Sequence, residues 1–119
     1  MEYRWIFDYD NLFRAAMSAM EENRFSHTKE DFCGKDGKLL GESLIILQND
    51  LIWKTYQVIP CLRKGDGGET LTELSLRDRV VQIAVCNALR KDRKRPIRNR
   101  KILWLIKVMY DGGTWFANL

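Results

Sequence analysis

The sequence predicts an α+β fold in which about four helices pack on a two-stranded antiparallel β-hairpin. Apolar residues recur at helical spacing in several separate segments, and a glycine-rich turn lies between two short stretches of strand-forming residues. The chain has 119 residues, of which 45% are hydrophobic and 30% charged, a balance typical of globular proteins. We therefore expect residues 1 to 119 to form a single domain.

The first two helices are predicted from their apolar stripes. Asp10 can cap a helix that begins near Asn11 and ends near Asn23. Its apolar face comprises Leu12, Ala15, Ala16, Ala19 and Met20. Polar residues dominate positions 24 to 38, which predicts a long loop with at most a short turn around Phe32. A second helix is predicted over residues 39 to 53 by the stripe of Leu40, Leu44, Leu47 and Leu51.

A hairpin is predicted after the second helix. Residues 55 to 63 are rich in β-branched and aromatic side chains, and residues 64 to 68 read K-G-D-G-G, a turn sequence. Residues 69 to 74 can form the return strand. The order of these three pieces predicts two antiparallel strands that follow each other directly.

Two further helices are predicted beyond the hairpin. Ser75 and Asp78 resemble a capping box that opens a helix over residues 76 to 89. Its apolar stripe is either Val80, Ile83, Ala84, Asn87 and Ala88, or a neighbouring stripe with Val81 and Val85. Pro96 disfavours helix at Arg95, so we expect a break there. The last helix is predicted over residues 98 to 110, with Gly112 and Gly113 ending it.

The charges are unevenly distributed along the chain. Residues 90 to 101 contain eight basic residues and one acid, a local charge of +7, while the whole chain has a net charge of +4. We call the eight side chains the basic segment: Arg90, Lys91, Arg93, Lys94, Arg95, Arg98, Arg100 and Lys101. Such a cluster is suited to phosphate groups of nucleic acid, and the alternative is a solvated linker between two helices.

Several classes of function lack support in the sequence. The N-terminus does not resemble a signal peptide, and no apolar run is long enough for a membrane span, so we expect a cytoplasmic protein that does not bind membranes. Cys33, Cys61 and Cys86 are widely spaced, which favours reduced thiols over disulfides or a zinc site. His27 has no partner at a spacing typical of catalysis. We expect no catalytic residues, no metal and no cofactor.

One region resembles a known family. The motifs are Lys54-Thr55-Tyr56, where the family has G-T-Y, then K-G-D-G-G at residues 64 to 68, and R-D-R-V-V-Q at residues 77 to 82. They stand in this order and at suitable separations, and Asn11-Leu12 with Ala15-Ala16 is similar to an early N-L-x-x-A helix. Residues 10 to 89 thus resemble the N-terminal fingers region of bacterial reverse transcriptases of the group II intron, retron and diversity-generating types.

The resemblance implies that the hairpin and the helix after it lie near template and incoming nucleotide. The chain departs from the family in two ways. It has no Y-x-D-D motif for the two catalytic metal ions, since Tyr110-Asp111-Gly112-Gly113 lacks the second aspartate. Glu69 and Thr70 also stand where the family usually has an arginine on the return strand. We therefore expect a non-catalytic relative.

The expected function is binding of RNA or single-stranded DNA through its backbone. The candidate residues are the basic segment, together with Arg63, Lys64 and Arg77. Arg77 and Arg79 also have a structural interpretation, in which Asp78 caps the helix and Arg79 ties it to the hairpin. The alternative function is an accessory or decoy subunit that docks on a reverse transcriptase or another protein.

Aromatic residues near the two chain ends could stack on bases, although such side chains more often fill a core or a subunit interface. They are Trp5, Phe7, Tyr9, Trp104, Trp115 and Phe116. A homodimer or a protein partner bound through these aromatic chain ends is therefore also expected.

Overall fold

The computed structural model describes residues 2 to 91 and 99 to 111, apart from the side chains of Ser26, His27 and Arg63. Within these residues it contains six helices and one two-stranded antiparallel sheet, so the α+β class with a hairpin is confirmed. The elements are α1 (Arg4–Phe7), α2 (Tyr9–Glu21), α3 (Ser26–Cys33), α4 (Leu40–Ile52), β1 (Cys61–Lys64), β2 (Thr70–Glu73), α5 (Leu76–Lys91) and α6 (Arg100–Asp111).

Helix α5 is the centre of the core. Both stripes that the sequence left open are largely buried, because neighbouring elements cover α5 on several sides. Helix α2 packs along it with the small residues Ala15, Ala16 and Ala19. Such small side chains allow two helices to approach each other closely. The apolar faces predicted for α2 and α4 point into this core, where Leu12, Leu44, Leu47 and Leu51 are at most 1% exposed.

An amide buried between three helices ties the N-terminus to this core. The Asn11 side chain donates from Nδ2 to the carbonyl oxygens of Trp5, Ile6 and Ala84, each at 3.0 Å. The acceptors Trp5 and Ile6 belong to α1, and Ala84 belongs to α5. Asn11 therefore satisfies backbone carbonyls on both helices from the first turn of α2.

Two features of the N-terminal half differ from the sequence prediction. Asp10 does not cap α2, because the helix begins at Tyr9 and the carboxylate lies in the first turn, 3.5 Å from Arg14 on the surface. Residues 24 to 38 are not all loop, since α3 lies within them. Phe25, Phe32 and Cys33 are buried and pack α3 against the core. The backbone N–H of Leu76 also donates to the Thr28 hydroxyl of α3 at 2.9 Å.

The first strand is shorter than predicted. The ladder pairs Cys61 with Glu73 and Lys64 with Thr70, so residues 55 to 60 lie outside it. Two causes are visible: the Ile59 N–H donates to the Asp78 carboxylate at 3.1 Å instead of to a strand, and Pro60 has no N–H to donate. The predicted turn is present, with the Gly65 N–H donating to the Glu69 carbonyl at 2.8 Å.

The end of α4 contains an unusual backbone conformation. Lys54 follows the helix with φ of +57°, in the left-handed region that glycine adopts without strain. The conformation lets the N–H groups of Thr55 and Tyr56 donate to the Asp50 carbonyl at 2.9 and 3.2 Å. The chain therefore reverses here and sends the Tyr56 side chain into the core, where it is 1% exposed.

The last helix adds one apolar face to the same core. Ile102, Leu105 and Met109 of α6 are fully buried, whereas Leu103 is 47% exposed. Asn99 caps this helix, because its Oδ1 accepts from the Lys101 N–H at 2.9 Å. The predicted break at Pro96 and the glycines Gly112 and Gly113 lie outside the described residues.

All three cysteines are free thiols. Cys33 and Cys86 are buried, and burial raises the pKa of both thiols. Cys61, at the start of β1, is partly exposed. The Cys33 Sγ lies 3.6 Å from the Sδ of Met20, a contact between two polarisable sulfur atoms that helps to pack α3 on α2.

Candidate nucleic-acid interface

The basic segment is described at its two ends. Arg90 and Lys91 form the last turn of α5, and Arg100 and Lys101 form the first turn of α6. All four side chains are exposed. The other four members, Arg93, Lys94, Arg95 and Arg98, lie outside the described residues.

These four cations have no compensating acid among the described residues. Within residues 2–91 and 99–111, no carboxylate lies within ion-pair distance of any of them. Arg90 and Lys91 suit the negative end of the α5 dipole, but Arg100 and Lys101 stand at the positive end of α6, where acids are normally preferred. The first turn of α6 therefore adds its own partial positive charge to theirs, which favours an anion in front of it.

A groove lies next to the Lys91 end of the basic segment. The Lys91 Nζ is 5.9 Å from the centroid of the Trp5 ring, within the range of a cation–π contact. The groove has a volume of about 500 Å³ and is lined by Arg4, Trp5, Phe7, Asp8, Gln48 and Lys91. Helix α1 is fixed on α4 at this place, because the Gln48 Nε2 donates to the Phe7 carbonyl at 2.9 Å. The groove thus combines a half-buried aromatic ring with the exposed ammonium of Lys91. Its second cation, Arg4, is paired with Glu2, and the Asp8 carboxylate also lines the groove.

Arg77 has a different environment from the basic segment. Its guanidinium lies 3.0 Å from Asp78 and 3.4 Å from Asp50, and it also donates to the Gln57 carbonyl at 3.0 Å. The same group stacks over the Tyr56 ring, 4.9 Å from its centroid. Two carboxylates of the protein therefore neutralise Arg77, which leaves it little charge to offer to a phosphate.

The structure does not bring Arg77 and the end of α5 together. Arg77 stands in the first turn of α5 and Arg90 in the last. Thirteen residues of helix at a rise of about 1.5 Å each separate them by roughly 20 Å. Lys64 is exposed at the end of β1, and Arg63 precedes it opposite Leu71, with its side chain outside the described part.

A buried carboxylate organises the Arg77 end of α5. Asp78 is fully buried and accepts from the Tyr56 hydroxyl at 2.7 Å, the Ser75 hydroxyl at 3.0 Å and the Ile59 N–H at 3.1 Å. The Ser75 Oγ in turn accepts from the Asp78 N–H at 3.1 Å, as in a capping box. Burial, and then the negative charge of Asp78, raise the pKa of Tyr56, so the hydroxyl stays a donor. We refer to these groups, with Arg77, as the Asp78 network.

Arg79 ties α5 to the end of α2 rather than to the hairpin. Its guanidinium donates to both oxygens of Glu22, with the Nη2–Oε1 distance at 2.7 Å, and to the Gln82 amide oxygen at 2.9 Å. Hydrogen bonding to Arg79 holds the pKa of Glu22 below its ordinary value. All three side chains of the R-D-R sequence at residues 77 to 79 thus form contacts within the protein, between α5 and the rest of the fold.

The aromatic residues near the chain ends have several different surroundings. Trp5 and Phe7 line the groove, Tyr9 is 40% exposed, and Trp104 is partly buried on α6. Trp115 and Phe116 lie outside the described residues. Sequence reasoning missed the approach of Lys91 to Trp5, since no local pattern links residues so far apart.

Comparisons with protein-family models, with curated proteins and with solved structures found no match to this chain. Among the helices that the structure describes, none is both long and apolar enough to cross a membrane. Three or more side chains of the metal-binding types do not come together anywhere in the same residues. No relative assigns a role to Lys91 or to the first turn of α6, so their charges and contacts are what indicate one.

Proposed function

We propose that this protein is a non-catalytic nucleic-acid-binding module, related to reverse transcriptase fingers, that grips the backbone of RNA or single-stranded DNA. The observation that carries the proposal is the set of exposed cations Arg90, Lys91, Arg100 and Lys101, which form no ion pair within the part of the chain that the structure describes. The rest of the chain is mildly acidic, with a charge of −3. A polyanion is therefore attracted to the two described ends of the basic segment more than to the rest of the protein.

The groove beside Lys91 favours a single strand over a duplex. An unpaired base can lie on the Trp5 ring while Lys91 approaches a phosphate beside it. Arg4 can contact a phosphate only if its guanidinium exchanges Glu2 for it. The Lys91 side chain is long and flexible, so its ammonium can move from the ring to a phosphate oxygen. A paired base cannot enter, because its faces are already stacked in the duplex.

The salt dependence of binding tests the backbone grip. Fluorescence anisotropy is measured with a labelled single-stranded RNA over a range of salt concentrations. In the test variant, glutamine replaces Arg90, Lys91, Arg100 and Lys101. If each residue makes one phosphate contact, the slope of log K against log salt falls by about 3, at roughly 0.7 per contact. The matched control replaces four exposed lysines elsewhere, Lys29, Lys35, Lys38 and Lys107, with glutamine.

Two results would contradict the proposal. One is binding of RNA that does not respond to salt, and the other is an equal loss of slope in the test and control variants. Trp5→Leu separately tests the groove, with Phe13→Leu as control because Phe13 is 41% exposed on α2. Loss of one base stack of about 1–3 kcal/mol weakens single-strand binding roughly 5- to 150-fold. Circular dichroism confirms that both variants are folded.

A further inference from the structure

Helix α4 is apolar on two opposite faces. Its inner face, with Leu44, Leu47 and Leu51, is buried in the core. Three exposed hydrophobic side chains on its outward face, and one at each end of the helix, are five of the twelve exposed large hydrophobic groups that the structure describes. They are Leu39 at 45%, Ile45 at 51%, Ile46 at 58%, Ile52 at 39% and Trp53 at 75% exposed. We call these five residues the outer α4 face.

A helix of this kind is normally covered on both sides. A surface helix of a monomer has one apolar stripe and a polar opposite face, whereas a helix that is apolar all round is buried. On the outward side of α4 only Glu42 and Asn49 interrupt the apolar residues. A cluster of exposed apolar side chains on one side of a helix is typical of a protein–protein contact.

The charges at the two ends of this face are complementary. Glu42 stands in the first turn of α4 and Lys54 directly after its last residues. Both side chains are exposed, and within the described part of the chain neither forms an ion pair. Glu42 lies ten residues, roughly 15 Å along the helix, before the last helical residue Ile52, and Lys54 follows two residues after that end. A second α4 laid antiparallel on the first therefore brings Glu42 of each copy to Lys54 of the other.

A parallel arrangement of two copies is disfavoured by the same charges. It would place Glu42 against Glu42 and Lys54 against Lys54, and it would align the two helix dipoles in the same direction. The antiparallel arrangement is related by a two-fold axis, so one patch serves both copies and the contact closes after two. The polar Asn49 then lies close to the axis, and the apolar side chains Ile45, Ile46 and Ile52 lie around it.

We propose that a second copy of this chain covers the outer α4 face, in an antiparallel dimer closed by Glu42–Lys54 pairs. This inference does not depend on the proposed function, and it uses a surface other than the aromatic chain ends. One helix face is small beside the roughly 800 Å² per partner of a standard interface, so we expect a dimer that forms at micromolar concentrations.

Sedimentation equilibrium of nuclease-treated protein over a wide concentration range tests the dimer. The wild-type mass is expected to rise towards twice that of the monomer. Ile46→Glu should stay monomeric, because it places a charge in the middle of the face. Phe13→Glu is the matched control, since it makes the same kind of change on the exposed side of α2 and should dimerise like the wild type. Circular dichroism verifies that both variants fold.

Charge exchange tests the antiparallel arrangement. Glu42→Lys and Lys54→Glu should each raise the dissociation constant several-fold, because each brings like charges together. The double variant should restore it, since the pair is re-formed with its signs reversed. A wild-type protein that remains monomeric at every concentration overturns the proposal. So does an Ile46→Glu variant that dimerises normally, or a double variant no tighter than the single ones.

Discussion

Replacing Asp78 with asparagine tests whether the Asp78 network holds the hairpin base on α5. The change keeps the size of the side chain and removes its charge. Asp78 is fully buried and accepts from Tyr56, Ile59, Ser75 and Arg77. An asparagine has one acceptor oxygen and presents an NH₂ group at the other position, where it meets donors.

The expected cost can be built from these contacts. If the amide oxygen keeps Tyr56 and Arg77, its NH₂ group faces the Ile59 N–H and the Ser75 hydroxyl. The hydroxyl can turn and accept, but the Ile59 N–H cannot, and a buried orphan donor costs about 1–3 kcal/mol. Loss of charge assistance in the remaining bonds adds about 1 kcal/mol. We expect the free energy of unfolding to fall by roughly 2–4 kcal/mol.

Urea denaturation followed by circular dichroism measures this loss. With a slope of about 2 kcal/mol per molar urea, the midpoint should fall by about 1–2 M. Asp10→Asn is the matched control, because Asp10 and its partner Arg14 both have side chains that are 75% exposed. That change should cost under about 0.5 kcal/mol. If Asp78→Asn shifts the midpoint no more than Asp10→Asn does, the network does not stabilise the fold as argued.

Three further predictions concern other contacts. Hydrogen bonding to Arg79 lowers the pKa of Glu22. The ionised carboxylate therefore stabilises the fold fully above its ordinary pKa of 4.5, and this contribution is lost as the pH falls below that value. Glu22→Gln should flatten the dependence of the melting temperature on acid pH. Asn11→Ala leaves three carbonyls without their amide donor and should lower the free energy of unfolding by about 2 kcal/mol in urea. Lys54→Gly relieves the positive φ and should raise it by up to about 1 kcal/mol.

Each of these predictions can be contradicted by a simple result. An unchanged acid profile in Glu22→Gln would show that the Arg79 contact does not discriminate between the two protonation states. For Asn11→Ala, a cost no larger than that of an exposed asparagine such as Asn49 replaced by alanine would count against the buried amide. A Lys54→Gly variant that is less stable than the wild type would mean that backbone entropy outweighs strain at this position.

The long helices could be predicted from the sequence because their burial follows a local period. Leu44, Leu47 and Leu51 repeat at helical spacing, and the structure buries all three. Helix α3 lacked such a signal, since its buried residues Phe32 and Cys33 stand together at its end, and polar side chains separate them from the buried Phe25 that precedes the helix. Its position is fixed by contacts with distant elements, which no short window of sequence reports.

The same limit applies to the strand and to the candidate interface. Residues 55 to 60 have the composition of a strand, but Asp78 takes the Ile59 N–H, so the ladder starts at Cys61. The cluster of basic residues was visible in the sequence. Two contacts could not be predicted, the ion pair between Arg77 and Asp50 and the cation–π contact between Lys91 and Trp5. Each joins residues that are far apart in the chain.

The three cysteines are buried to different extents, so their thiols should be alkylated at different rates. The thiolate is the nucleophile that attacks an alkylating reagent. The partly exposed Cys61 should therefore react first, while Cys33 and Cys86 are buried and have raised pKa values. A fluorophore can therefore be attached to the native protein at the first residue of the hairpin without any substitution. Slower labelling of Cys33 and Cys86 then reports how often the packing around α3 and α5 opens, which gives a clock for local unfolding.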